Sequence, residues 1–547
     1  MHAVVSAIRV DDVGRGHHHD ICPVGGRSRP TRQHPALGTA EHHPVRAGGA
    51  EIRRRPRCRT HPGPGGCGAR RSHPADPRAD LGGSVRCRGI GPLGSWEPER
   101  MRTSLTGWGR STHSVADVVP VNDTGEVVEL VQSAPERGIL ARGMGRSYGD
   151  AASNGGGIVI DTAALNDVTV DGTTVRVGAG VVLADLIDEL LRRGLFVPVT
   201  PGTSQVSTAG LVATDVHGKN HHVDGSWGHH VTSIDIVDGT GALRTLTPDD
   251  ADPDDFWASV AGMGLTGVIT SVTFTAIEVP SAHMRVTTTP FRDLDDLMQA
   301  MREADRGARY SVAWIDSVGL TGPLGRGIMS TAEHAVAPVH GAHAAPKPRA
   351  RPSIPDIVPS GVLSRLSVGA FNEMWWRISG RPRTDATESI GSYFHPLDGV
   401  ADWNRIYGRA GMVQYQFAVP DDASEVIGIA LNRLRDAHAP SFLTVLKRFG
   451  PGNRAPLSFP MPGWTLALDL PAGNPRLPAT LADLDSIVLD AGGRHYLAKD
   501  AHMDADAVRR GYPRLGEWRM VRDRMDPRGV FHSDLDRRLE LLAPADR

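Results

Sequence analysis

Cysteine is missing from most of this chain: Cys22, Cys58, Cys67 and Cys87 are the only four, and all lie in the first hundred residues. The remainder therefore cannot use a thiol nucleophile, a thiolate metal site or a structural disulfide. No window approaches the roughly 18 uninterrupted apolar residues of a membrane-spanning helix. No apolar stretch of signal-peptide type follows the N-terminus. Nor is there a dominant charge. The 60 Lys and Arg face 62 Asp and Glu, a formal net charge of -2, which gives no global attraction to nucleic acid or to an acidic membrane surface. Internal repeats and an H-E-x-x-H helix are also missing. What is present is length: 547 residues, 40% of them hydrophobic, suffice for two or three domains with full cores. A lipid substrate would have to be reached from a soluble or peripheral protein.

Residues 1–100 differ from the rest. Runs such as Arg53-Arg54-Arg55-Pro56 and Pro62-Gly63-Pro64-Gly65-Gly66 have no helical or strand period. Such a segment cannot bury enough apolar surface to offset its ordering entropy. It is expected to be disordered, or an over-extended reading frame ahead of a physiological start at Met101. His17-His18-His19-Asp20 and the cysteines suggest zinc, but no two cysteines stand two to four residues apart, so no metal is expected.

From Val115 the pattern is that of short strands with interspersed helices, which points to an α+β fold rather than a regular doubly wound sheet. Helices are expected over 127–132, 183–193, 256–260, 504–511, 515–525 and 534–542. In 183–193 the apolar positions 183, 186, 187, 190 and 191 make one face, with Asp185 and Glu189 opposite. Strands are expected at 158–161, 174–177, 268–274, 413–419, 442–446 and 465–470, and a hairpin over 233–246. Residues 335–360, rich in Ala, His, Pro and Arg, read as a mobile loop or lid.

Three glycine-rich stretches punctuate the first folded part: Arg142-Gly143-Met144-Gly145-Arg146-Ser147-Tyr148-Gly149-Asp150, Pro201-Gly202-Thr203, and Gly262-Met263-Gly264-Leu265-Thr266-Gly267. Glycine lets backbone amides approach a pyrophosphate closely. None has the G-x-G-x-x-G spacing between strand and helix of a dinucleotide-binding unit, so NAD is rejected. These stretches resemble the flavin-contacting segments of the vanillyl-alcohol-oxidase (PCMH-type) flavoproteins, and Asp526-Pro527-Arg528-Gly529-Val530-Phe531 resembles their C-terminal return.

A narrower resemblance is to the decaprenylphosphoryl-ribose oxidases. It rests on Leu105-Thr106-Gly107-Trp108-Gly109-Arg110, Asp215-Val216-His217-Gly218-Lys219-Asn220-His221-His222, Pro456-Leu457-Ser458-Phe459-Pro460 and Ala498-Lys499-Asp500, and runs from about 105 to 542. It implies a two-subdomain FAD-binding domain (101–280 and 494–547) with an inserted α+β substrate or cap domain (281–493). It implies oxidation of the C2′ hydroxyl of decaprenylphosphoryl ribose to a 2′-keto sugar, the first half of an epimerisation feeding cell-wall arabinan synthesis. An NAD(P)H-dependent reductase would complete the epimerisation. The family's place at the cell envelope, often described as periplasmic, implies peripheral membrane contact; without a leader the alternative is cytoplasmic. An oxidase of free alditols or sugar lactones, or a flavin-binding partner without turnover, stays open as a rival.

FAD contacts are implied for Ala141 and the Arg142–Gly149 loop, for Gly202, Ser207, Thr208, Ala209, Gly210 and Thr214, and for His217, Ile269 and Tyr496. Many relatives bond a first-loop histidine covalently to the flavin. Tyr148 stands at that position and offers no imidazole nitrogen, so the FAD is expected to be non-covalent.

Alcohol oxidation by flavin needs a proton acceptor or cationic partner at the hydroxyl. His217, Lys219 and Lys499 are the candidates. The histidines of the loop could instead bind backbone groups, bind zinc with His229 and His230, or, for Lys499, the amine could pair with Asp500. Lys447 suits a phosphate, as does Arg448, with the family match favouring the lysine. Gln414 and Gln416, two apart on a strand, share a face and suit sugar hydroxyls. Trp314 and the pair Trp375 and Trp376 read more readily as core than as a ligand platform, while the resemblance places this region near the substrate pocket. Ala467 replaces a cysteine that reactive inhibitors modify in relatives, which implies loss of covalent inhibition; Thr465 replaces an asparagine.

Overall fold

Two sheets carry the chain from residue 101 to 275, and a third carries it from 283 to 495. In this computed structural model, residues 99–336 and 352–542 are described. The reading of residues 1–98 as disordered or over-extended, and of 337–351 as part of a mobile lid, lies outside them.

The first sheet has the order Met101–Thr106, His113–Pro120, Ile158–Asp161, Ile139–Arg142, with one antiparallel and two parallel pairings. Its helix, Thr124–Gln132, starts a turn earlier than periodicity suggested. Asp123 caps it, accepting the Glu126 amide at 3.0 Å, and the first turn has no buried residue for a pattern to detect. The second sheet is antiparallel: Val168–Asp171, Thr174–Gly178, Val268–Thr275, Val231–Val237, Leu243–Leu246. The amphipathic helix Leu183–Leu191 buries all five of its expected apolar positions.

The third sheet has eight strands in the order Arg383–Ser389, His283–Phe291, Gly327–His334, Tyr310–Ile315, Thr444–Phe449, Gly463–Pro471, Met412–Val419, Arg494–His495. Helices Leu294–Ala304, Glu425–Asp436 and Leu477–Asp490 cover one face. Against them pack Val413, Tyr415 and Phe417 from one central strand and Leu466, Leu468 and Leu470 from its neighbour. Because side chains alternate, Gln414 and Gln416, and Thr465, Ala467 and Asp469, take the opposite face. The strand expected at 442–446 instead runs Thr444–Phe449, which places Lys447 within the ladder, opposite Thr465.

Several elements between 283 and 400 escaped the sequence reading. One had a signal: Asp293 caps Leu294–Ala304, whose Leu297, Met298 and Met301 are buried at helical spacing. Residues 352–360 are not free. Ile354 N donates to Ala401 O at 3.1 Å, and Arg110 pairs with Asp356 at 2.6 Å.

The C-terminal part returns to the first two sheets. Trp518 Nε1 donates to Ala258 O at 3.0 Å. The Asp526 carboxylate accepts the amides of Val530 and Phe531, each at 2.8 Å, and Ile139 N donates to Val530 O at 2.9 Å. The last helix is Asp534–Leu539, shorter than the expected 534–542. Separate sheets with segregated helices make this an α+β fold.

Leu468 is fully buried between the central strands and their covering helices. Leu468→Ala is expected to cost about 2–5 kcal/mol, read as a lower urea midpoint at unchanged m-value. A loss under about 1 kcal/mol would mean that this face is loosely packed.

Candidate functional site

The cavity-facing side of the third sheet meets the loops of the first two sheets across a cavity. On the loop side stand residues 141–148, segments of 201–217 and 263–269. On the sheet side stand Gln414, Gln416, Val445, Lys447 and Ala467, with Tyr496 and Lys499 from the turn after Arg494–His495.

The glycine-rich loop is shaped by its own contacts. Ser147 and Tyr148 carbonyls accept the amides of Trp108 (2.7 Å) and Gly109 (2.9 Å), and Tyr148 N donates to Ala498 O at 3.0 Å. Gly145 has φ +60°, the left-handed region. A Cβ on Gly143 would stand 2.0 Å from Ser207 Oγ. Arg142 donates to Ala152 O (2.7 Å) and Thr106 O (2.8 Å), so its guanidinium braces the loop. Arg146 lies 3.8 Å above the Trp108 ring.

The cavity fits a flavin dinucleotide on two observations. Glycines keep the cradle open: nothing lies within 4 Å of where a Gly202 Cβ would stand, and only Leu140, at 3.8 Å, near that of Gly264. His217 also leaves a buried donor for a ligand. Gln416 Nε2 donates to His217 Nε2 at 3.0 Å, which puts the imidazole proton on Nδ1, an atom buried without a protein partner. Burial first, then Lys447, His221 and Lys499, holds this imidazole neutral, well below its ordinary pKa.

Facing it is a lysine-rich wall. Lys447 is half-buried and makes no hydrogen bond or ion pair among the described residues; burial lowers its pKa to about 8. Its neighbour Arg448 points away and is engaged, with Asp305 at 2.6 Å and Asp421 at 2.7 Å. Strand alternation thus separates the two phosphate candidates. Lys499 Nζ lies 3.9 Å over the Tyr148 ring. Asp469 stands behind it, accepting a hydrogen bond from Gln414 Nε2. Burial pushes the Asp469 carboxyl up, opposed by Gln414 and Lys499; burial pushes the Lys499 amine down, opposed by Asp469 and reinforced by Lys447. The two groups are thus electrostatically linked, the carboxylate favouring the ammonium against its burial. Thr465 Oγ1 donates to Phe417 O at 2.9 Å and lies 3.4 Å from Gln416 Nε2, so it steadies the amide that holds His217.

Of the residues singled out from sequence, Ala141 to Tyr148, Gly202, Ser207, Ala209, Gly210, Thr214, His217, Ile269, Tyr496, Gln414, Gln416, Lys447 and Lys499 line the cavity. Gly149, Thr208, Lys219 and Trp314 do not. A Cβ on Gly149 would meet Asp500 O at 2.0 Å, so this glycine permits a close approach of two loops. The Thr208 hydroxyl donates to Gly178 O at 2.7 Å. Lys219 Nζ donates to Tyr393 O and lies 3.9 Å over the Tyr393 ring; burial lowers its pKa to about 7. It ties its loop to the helix Ile390–Phe394. Trp314 pairs with Ile328 and Val445 in the sheet. Trp375 stacks on Phe371, and Arg326 lies under Trp376.

The other loop histidines bind backbone: His221 accepts the Gly450 amide (3.2 Å), His222 meets Ala308 O (2.9 Å), His229 accepts the Ser226 amide (3.2 Å), and His230 meets Asp224 O (2.8 Å). Asp215 anchors the whole loop. Its carboxylate accepts from Ser226, Gly228 N, Asn453 and Ser458, joining the His217 segment to the Pro456–Pro460 segment. Sequence reading gave no role to Asp469. The alternation that put Gln414 and Gln416 on one face would, applied to 465–470, have put it on one face with Thr465 and Ala467, and that signal was available.

Comparison with known proteins agrees with this geometry. A family described as "FAD binding domain" matches residues 115–247, and one described as "D-arabinono-1,4-lactone oxidase" matches 472–539. Over 451 residues the chain is 41% identical to a decaprenylphosphoryl-beta-D-ribose oxidase of Mycolicibacterium smegmatis, covering 80% of this chain and 97% of that one. It is 33% identical over 374 residues to an uncharacterized protein in the mprA 5' region of Streptomyces coelicolor, covering 66% of this chain and 100% of that one. An alditol oxidase of a Streptomyces species is 30% identical over 202 residues, 36% of this chain and 47% of that one.

The Asp469 carboxylate supports the charged form of Lys499, so Asp469→Asn is expected to move the Lys499 titration to lower pH by about one unit. The pH dependence of Lys499 acylation, followed by peptide mass spectrometry, measures this. An unmoved midpoint would dissolve the pair.

Proposed function

Because the chain belongs to the family of decaprenylphosphoryl-β-D-ribose oxidases, FAD-dependent oxidoreductases with a PCMH-type α+β fold, we propose that it oxidises the C2′ hydroxyl of a polyprenylphosphoryl ribose to the 2′-keto sugar. The observation that carries the substrate class is Lys447. It is a cavity-lining cation without a protein counter-ion among the described residues, beside two amides on the same sheet face. A phosphate answers the lysine, and sugar hydroxyls answer Gln414 and Gln416.

In this reading residues 101–280 and 494–547 bind FAD, and 281–493 supply the substrate face. The 141–148 loop, Gly202, Gly264 and the His217 Nδ1–H hold the cofactor. FAD, when bound, supplies the two-electron acceptor for the hydride that leaves C2′. Lys499 Nζ, its proton affinity lowered by burial, accepts the hydroxyl proton as the carbonyl forms, and Asp469 holds the resulting ammonium. Lys219 acts through geometry, fixing the His217 loop. A keto-sugar reductase using NAD(P)H consumes the product. No helix among the described residues is long and apolar enough to cross a membrane. In the proposed reading the lipid is met at a membrane surface of the cell envelope.

A second reading, oxidation of free alditols or sugar lactones, is favoured by the match over residues 472–539 and by the alditol oxidase likeness. It needs no phosphate site.

Anaerobic mixing of the FAD-loaded protein with a short-chain polyprenylphosphoryl ribose is expected to bleach the flavin. Bleaching by xylitol or a sugar lactone instead would select the second reading. The Lys447 ammonium is required for the phosphate, so kcat/KM for the phospholipid should fall as pH rises through about 8. Lys447→Met should remove that limb and lower kcat/KM by about 10–100-fold. Tyr148 leaves the flavin unbonded, so acid precipitation should release all yellow colour; colour kept in the pellet would refute this.

A further inference from the structure

Arg538, on the helix Asp534–Leu539, is not among the residues that line the cavity, yet it grips two of the loops that wall it. Its Nε and Nη2 donate to the two Asp150 carboxylate oxygens, each at 2.8 Å. Its Nη1 donates to Met503 O at 2.8 Å and stands 2.7 Å from Asp500 Oδ2. Asp150 closes the glycine-rich loop two residues after Tyr148. Asp500 directly follows Lys499. Elsewhere the two loops meet through backbone, the Tyr148 amide on Ala498 O at 3.0 Å and Gly149 against Asp500 O, and through Lys499 Nζ, 3.9 Å over the Tyr148 ring. The Asp500 side chain is 1% exposed and that of Asp150 12%. Asp500 Oδ1 already accepts the amides of His502 (3.0 Å) and Met503 (2.9 Å). Two carboxylates would face each other across this junction without the guanidinium between them. A planar fork can engage one bidentately and reach the other, which an ammonium cannot do.

We propose that Arg538 is a positioning residue: by holding Asp150 and Asp500 together it fixes the glycine-rich loop against the Lys499 turn, and so sets the affinity and orientation with which that loop holds FAD. The inference rests on the reading of residues 141–148 as the cofactor cradle, and is independent of which alcohol is oxidised. A role confined to anchoring the C-terminal helix would affect stability alone.

The test is an FAD titration of the full-length apoprotein by flavin fluorescence, together with the visible spectrum of the reconstituted protein. Arg538→Gln is expected to raise the FAD dissociation constant about tenfold or more and to alter the flavin absorbance envelope. Arg538→Lys, keeping the charge without the fork, should recover part of the affinity. A folded R538Q protein with wild-type affinity and spectrum, even at lower melting temperature, overturns the proposal. Should R538Q fail to fold, Asp150→Asn decides, since it leaves the Arg538–Asp500 pair intact. A dissociation constant raised about three- to tenfold supports the clamp, and an unchanged one overturns it. No arm requires a substrate, so a failed substrate assignment leaves this result standing. Wild-type protein that binds no FAD would instead refute the cradle reading.

Discussion

The site depends on the period of two in three adjacent strands. Thr444–Phe449, Gly463–Pro471 and Met412–Val419 are hydrogen-bonded neighbours, and helices cover one of their faces. One set of alternate residues builds that core. The other set must face the cavity, and it carries Lys447, Thr465, Ala467, Asp469, Gln414 and Gln416. A one-residue slip in register would bury the lysine and amides among leucines and turn the leucines into the cavity. The hydrophobic face thereby specifies the polar one.

Burial then sets the chemistry of those polar groups. Lys219, Lys447 and Lys499 all lose solvation, and each has its ammonium form disfavoured. Their compensations differ. Lys219 meets a carbonyl and an aromatic face, Lys499 lies over the Tyr148 ring within the field of the Asp469 carboxylate, and Lys447 has no hydrogen-bond or ion-pair partner among the described residues. An unpaired, partly desolvated cation is costly to keep, and a bound phosphate would repay it. The same low-dielectric surroundings keep His217 neutral, so it serves as a donor from Nδ1 rather than as a charge. In the proposed function the cavity thus offers a proton acceptor in Lys499, a phosphate partner in Lys447 and an uncharged donor in His217.

The loops of the cavity are held by ionic groups that do not themselves line it. Asp215 collects four hydrogen bonds behind the His217 loop, Asp398 accepts from Thr203 and Ser204 below the Pro201–Gly202 turn, and Arg538 joins the glycine-rich loop to the Lys499 turn. Each is a buried or half-buried ionic group spanning segments distant in sequence. Such groups contribute little net stability once desolvation is counted, yet they fix geometry. A cavity assembled from loops of three sheets needs that fixation more than it needs further apolar burial.

Glycine spacing, helical periodicity and strand alternation were legible in the sequence because each is a local consequence of backbone geometry. They gave the glycine-rich stretches, the helix beginning at Leu183 and the shared face of Gln414 and Gln416; the preference for Lys447 over Arg448 came from the motif resemblance, and only the observed strand Thr444–Phe449 put the two on opposite faces. The motif resemblance supplied the family. Tertiary structure alone decided the rest. Lys219 and Trp314 are close in sequence or strand to cavity residues, but packing turns Lys219 to Tyr393, and Trp314 sits in the ladder beside Val445 without lining the cavity. Asp469 came within electrostatic reach of Lys499 only when the fold brought together residues thirty positions apart. Arg538 carried no motif at all. The pairing of charges over such separations depends on where the chain returns, which no local pattern encodes.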